Sequence, residues 1–109
     1  MWLYTKQGFY SIVKDGDKYA IRSRNIEHHN NAIKLFDDIN SNVVSAILTN
    51  EYNRDYAHRI IVSNVGLSHF LARLRDTIDY PNFKSAIPYG DYKDALWNVY
   101  EDSVGLNDT

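Results

Sequence analysis

Hydrophobic positions in this chain recur first at strand-like and then at helix-like spacing, and the changes of period mark the predicted elements. Trp2 to Thr5 and Gly8 to Lys14 read as one strand, with Gly8 as a point where an unhindered backbone allows a bulge. Asp15-Gly16-Asp17 is a tight-turn signal between β-prone runs, and the chain returns through Lys18-Tyr19-Ala20-Ile21-Arg22-Ser23-Arg24. With Gly16 and Asp17 at the turn centre, Ile12 faces Ile21, while Ser11 and Phe9 face Arg22 and Arg24. A slip of one residue would reverse these faces.

Asn25 can cap a helix running to about Ile39, because Ile26, Ala32, Ile33, Leu35, Phe36 and Ile39 largely recur at helical spacing. Val43 to Tyr52 and Tyr56 to Ser63 are rich in β-formers, joined by the polar turn Asn53-Arg54-Asp55. Ser63 or Asn64 then starts the clearest helix, with Leu67, Phe70, Leu71, Leu74 and Ile78 as its apolar stripe, until Pro81 redirects the chain. A short helical turn over Asn82 to Ala86 and a last helix from Asp91 complete the pattern, with Leu96, Val99 and Tyr100 facing inward and Trp97 at the margin. The predicted order is ββαββαα. It implies an α+β fold with a four-stranded, mainly antiparallel sheet and helices packed on one face, leaving the other face free. Residues 1–104 are expected to form a single domain and 105–109 a frayed tail.

Composition narrows the classes. There is no cysteine among the 109 residues, which removes disulfides, thiolate nucleophiles and thiolate metal ligands. Twelve Lys and Arg against fourteen Asp and Glu leave a net charge of −2, too acidic for nucleic-acid binding through bulk charge. No apolar run approaches the length of a membrane span and no leader pattern opens the chain, so a cytoplasmic protein is expected. Nine tyrosines suit a recognition surface, since each can pack its ring while its hydroxyl reaches a ligand. Eleven asparagines with abundant Ile, Lys, Tyr and Asp point to an AT-rich coding genome, such as that of a low-GC bacterium or its phage.

Four segments look familiar together: Trp2-Leu3-Tyr4-Thr5-Lys6-Gln7-Gly8-Phe9-Tyr10-Ser11-Ile12-Val13, Ile21-Arg22-Ser23-Arg24, His58-Arg59-Ile60-Ile61-Val62-Ser63 and Ile78-Asp79-Tyr80-Pro81-Asn82-Phe83-Lys84. They resemble a group of short bacterial and phage-borne proteins with a Trp-rich opening strand and the same Arg-x-Arg and Asp-Tyr-x-Asn-Phe-Lys elements. The resemblance spans most of the chain in order. It implies one intact domain, and it carries no activity and no site residue.

The sharpest constellation is Arg22 and Arg24 on one strand face with Phe9 and Ser11 opposite; His58 and Arg59 alternate on a neighbouring hairpin, so that one of the two, Arg59 or His58, can join it. Guanidinium forks bind carboxylate or phosphate in bidentate fashion, and Phe9 can stack a ring. The competing reading is a solvated strand whose arginines pair with local carboxylates. Tyr80, Asn82 and Lys84 are further candidates for a pocket edge, although a Pro-containing junction needs a cap and an anchor in any case. Residues 6–13 echo the aromatic motif of RNA-recognition sheets, but the spacing is broken and the topology differs. The histidines, His28, His29, His58 and His69, lack metal-binding spacing, and serine-hydrolase, phosphate-loop and dinucleotide motifs are absent. No cofactor or metal is therefore expected.

The leading expectation is a small non-catalytic interaction protein that binds a macromolecular partner, with a phage or mobile-element inhibitor of a host enzyme or defence complex, of the anti-CRISPR kind, as one concrete form. The alternative is a binder of a nucleotide or other small anion at Arg22, Arg24 and Arg59. A small hydrolase ranks third. A homodimer through unpaired strand edges is compatible with either binding role.

Overall fold

The computed structural model describes residues 1–37, 41–53 and 55–108, with Ser41 described by its backbone alone. The chain divides into two compact units, Met1–Ile78 and Asp79–Thr109.

The first unit is built on a five-stranded sheet. Its strands are β1 (Trp2–Thr5), β2 (Gly8–Asp15), β3 (Lys18–Ser23), β4 (Val44–Thr49) and β5 (His58–Val62). They lie in the order β1-β2-β3-β5-β4, and every neighbouring pair is antiparallel. The α+β class and the antiparallel sheet match the sequence pattern. The strand count does not, because the opening segment is two strands rather than one bulged strand. Thr5 explains the break: its hydroxyl accepts from the Gln7 and Gly8 amides at 3.2 and 3.1 Å and donates to the Gly8 carbonyl at 2.7 Å. Gly8 takes φ +150°, which closes the turn and sends β2 back along β1.

The β2–β3 hairpin follows the expected register, with Ile12 opposite Ile21 and Ser11 opposite Arg22. Asp15 pairs with Lys18, which leaves Gly16, at φ +63°, and Asp17 as the two-residue loop. Helix α1 (Ile26–Lys34) begins at the predicted cap, where the Asn25 side chain accepts from the His28 amide at 2.8 Å. It ends earlier than the pattern suggests, and Ile39 lies outside the described residues. After a 3-10 turn over Ser41–Val43, β4 forms the sheet edge and β5 inserts between it and β3. The predicted turn between these strands is held by Asn53, whose Oδ1 accepts from the Asp55 and Tyr56 amides; Arg54 lies outside the described residues. Helix α2 (Asn64–Asp76) is capped by Ser63, whose hydroxyl accepts from the Gly66 amide at 3.1 Å.

Both helices cover one face of the sheet. Tyr10, Ile12, Ile21, Ile60 and Val62 from the strands meet Ala32 of α1 and Phe70 and Leu74 of α2. Phe70 is the hub: the Tyr10 ring meets it edge-on at 5.4 Å and Phe36 stacks on it at 5.7 Å. Full burial of side chains of this size contributes roughly 1.5–3 kcal/mol each, so this face supplies most of the unit's cohesion. Ile78, the last residue of the predicted stripe, falls beyond the helix and is exposed.

The second unit contains α3 (Phe83–Ala86), α4 (Asp91–Ser103) and a closing 3-10 turn over Val104–Leu106. Asn82 caps α3, accepting from the Lys84 and Ser85 amides at 3.0 and 3.4 Å. In α4, Trp97, Val99 and Tyr100 are exposed while Leu96 is half-buried, so the predicted inward face is not formed for Val99 and Tyr100. Among the described residues no helix is long and apolar enough to cross a membrane.

Candidate binding surface

Alternation along the strands fixes what lies on the sheet face opposite α1 and α2. The aligned pairs Trp2 with Ser11, Tyr4 with Phe9, Ser11 with Arg22 and Arg22 with Arg59 put these side chains on that face. Arg24 continues the row past the end of β3, and Tyr56 enters it just before β5.

The aromatic part is a connected cluster. Tyr4 stacks on Phe9 with centroids 4.6 Å apart, Trp2 meets Phe9 edge-on at 6.3 Å, and Tyr56 lies 6.4 Å from Phe9 on the far side. Tyr56 is buried, whereas Trp2 keeps 68% of its surface exposed. The first ring is a foundation and the second is available for contact.

The arginines are organised around Tyr56. The guanidinium carbons of Arg22 and Arg24 lie 4.4 and 4.6 Å from its ring centroid, close enough for cation–π attraction. Arg22 also donates to the Ser11 hydroxyl at 2.7 Å, and Arg24 donates to the Asp55 carbonyl at 2.9 Å. These contacts are neutral at the acceptor. Among the described residues no carboxylate forms an ion pair with Arg22, Arg24 or Arg59, and the one described pair of this kind, Arg75 with Asp76, is elsewhere on α2. Arg22 and Arg59 are moreover direct cross-strand partners. Like charges opposite each other disfavour the sheet unless an anion is shared between them.

The structure thus brings Phe9, Ser11, Arg22, Arg24 and Arg59 onto one face. Tyr80, Asn82 and Lys84 belong to the second unit, where Tyr80 packs near Phe83 and the Asn82 oxygen serves the α3 cap. The Lys84 ammonium lies 4.1 Å from the Tyr100 ring centroid and 5.7 Å from that of Trp97. Sequence reasoning missed Trp2, Tyr4 and Tyr56. The first two were hidden by reading β1 and β2 as one strand. Tyr56 reaches Arg22 and Arg24 only because β5 pairs with β3, and its position two residues before His58 gave no local signal.

The histidines lie on the other side of the sheet or in the helices. His28 Nδ1 accepts from the Phe9 amide at 3.2 Å, and its ring sits beneath Gly8. His29 stacks on His58 at 4.9 Å, and His58 Nδ1 is hydrogen-bonded to the Thr49 hydroxyl at 3.0 Å. Burial holds His28 below the ordinary histidine pKa, opposed by Glu27, and holds His29 below it with a further push from His58. His69 Nε2 accepts from Arg73 Nε at 3.2 Å. Among the described residues no three His, Asp or Glu side chains gather as a metal-binding set.

No family model, curated protein or solved structure matches this chain.

Proposed function

We propose that this is a non-catalytic interaction protein that docks a macromolecular partner on the outer face of its sheet, through Trp2, Phe9, Arg22, Arg24 and Arg59. The observation that carries this reading is the set of three arginines beside an aromatic cluster with no described carboxylate paired to them. Tryptophan, tyrosine and arginine are the side chains that dominate the energetics of protein interfaces, because each offers a large contact area with a polar handle. The complementary partner surface carries carboxylates next to an apolar patch. An inhibitor of a host enzyme or defence complex is one concrete form of this role, suggested by the Asn-, Ile-, Lys-, Tyr- and Asp-rich composition expected of an AT-rich coding genome.

The like-charge pair of Arg22 and Arg59 also favours a second reading, in which a small anion such as a nucleotide phosphate bridges them. One experiment separates the two. The native mass of protein purified gently from its own host is compared with that of an Arg22→Glu, Arg24→Glu variant of unchanged circular dichroism. A macromolecule retained by the parent and lost from the variant supports the interaction reading, and a small mass lost in the same way supports the anion binder. A bare parent, or the same cargo on both proteins, removes this surface from either role.

A further inference from the structure

We propose that strand β4 pairs antiparallel with β4 of a second copy, joining two five-stranded sheets into one of ten strands with Ile47 at the two-fold axis. β4 is an edge of the sheet, and among the described residues nothing pairs with its outer side. Its sequence, Val44-Ser45-Ala46-Ile47-Leu48-Thr49, contains no charge and no proline, the usual protections of a free edge. Ile47 and Leu48 point to opposite faces, yet 51% and 50% of their surfaces are exposed, so apolar area is uncovered on both sides of this edge.

A second copy fits the edge for three reasons. The first is hydrogen bonding. The Asn50 amide donates inward to the Ala57 carbonyl at 2.7 Å, and antiparallel pairs alternate, so Leu48 and Ala46 also bond inward while Ile47 and Thr49 present their amides and carbonyls outward. Ile47 can therefore exchange both bonds with its own symmetry mate. The second reason is side-chain matching. Centring on Ile47 sets Ile47 against Ile47 and Ala46 against Leu48, a branched pair and a small residue facing a large one. Centring on Thr49 instead would set Ile47 against Glu51, so the apolar pattern selects the first register. The third is charge: a strand without charge meets no like charge when it pairs with itself, as a closed two-fold interface requires.

The axis of such a pairing is normal to the sheet, so the outer faces of the two copies stay on the same side. The dimer would present two aromatic–arginine clusters to one partner, a gain in avidity without a new contact. This proposal stands on β4 alone and does not depend on the function of the outer face.

Native mass measured over a concentration series tests it, together with an Ile47→Lys variant and single-cysteine variants that the cysteine-free chain makes possible. The expected results are a dimer for the parent, a monomer of unchanged circular dichroism for Ile47→Lys, and disulfide-linked dimers under mild oxidation for Ile47→Cys. Leu48→Cys should remain unlinked, because its Cα atoms would lie about 8 Å apart across the axis, beyond disulfide reach. A parent that stays monomeric throughout overturns the proposal. A dimer that survives Ile47→Lys, or that links through Leu48→Cys and not through Ile47→Cys, overturns it equally.

Discussion

A Cβ atom on Gly8 would lie 2.5 Å from Cγ of His28, and the glycine holds φ +150°. The β1–β2 turn and α1 are therefore interlocked: Gly8 makes room for the ring, and the ring accepts the Phe9 amide. Tyr10 and Asn31 close the same junction, with the Tyr10 hydroxyl donating to the His28 carbonyl at 2.8 Å and Asn31 Nδ2 donating to the Gln7 carbonyl at 2.8 Å.

Gly8→Ala should be among the most damaging single changes. Backbone strain of about 1–3 kcal/mol adds to the overpacking of His28, which costs a similar amount. Urea unfolding should show a loss of at least about 2 kcal/mol, and a loss under about 0.5 kcal/mol would show that the junction is not interlocked in this way.

Stability should fall as the solution becomes acidic. His28 and His29 are held below the ordinary value of 6.5, chiefly by burial. The unfolded chain therefore binds protons that the fold resists, so these groups leave stability intact above about 6.5 and reduce it as pH falls through that value toward the folded pKa values. Unfolding midpoints from about pH 8 to about pH 5 should decline below 6.5, and His28→Gln should flatten part of that decline, since a neutral side chain removes one of the two linked protons.

Gly66→Ala separates propensity from packing. Alanine is favoured over glycine within a helix by about 1 kcal/mol. Here the added Cβ would lie 2.8 Å from the Val43 carbonyl oxygen, a backbone atom, and 3.1 Å from the Cβ atoms of Val43 and Val62. The variant should be less stable in urea, and a gain would mean that α2 can move away from the strand without cost.

Arg24→Ala should leave the fold almost untouched. The side chain is exposed, and its loss removes one cation–π contact and one hydrogen bond to a carbonyl, together about 1 kcal/mol or less. Any partner captured by the parent should nevertheless be released more readily. Equal retention by both proteins would mean that Arg24 serves only the Asp55 turn.

What the sequence made legible was local. The Gly16-Asp17 loop set the β2–β3 register, and Asn25, Ser63 and Asn82 each cap the helix that their spacing announced. The β1–β2 reversal was not legible because Lys6-Gln7 lacks the Asn, Asp or Pro that usually marks a turn, and Thr5 supplies the hydrogen bonds instead. The position of β5 beside β3 was equally hidden, since nothing near Tyr56 specifies which strand will be its neighbour. The Arg22, Arg24 and Phe9 face could be read from alternation alone, while the buried ring that organises it could not.

The placement of β5 between β3 and β4 also governs the order in which the chain can acquire structure. Tyr19 must wait for Val62, and Ser23 for His58, so β3 remains an open edge after the opening meander has formed. Contacts so distant along the chain are slow to close. Wherever β1, β2 and β3 form before β5 has docked, Ala20 and Ile21 sit on an unprotected strand edge until His58–Val62 pairs with it.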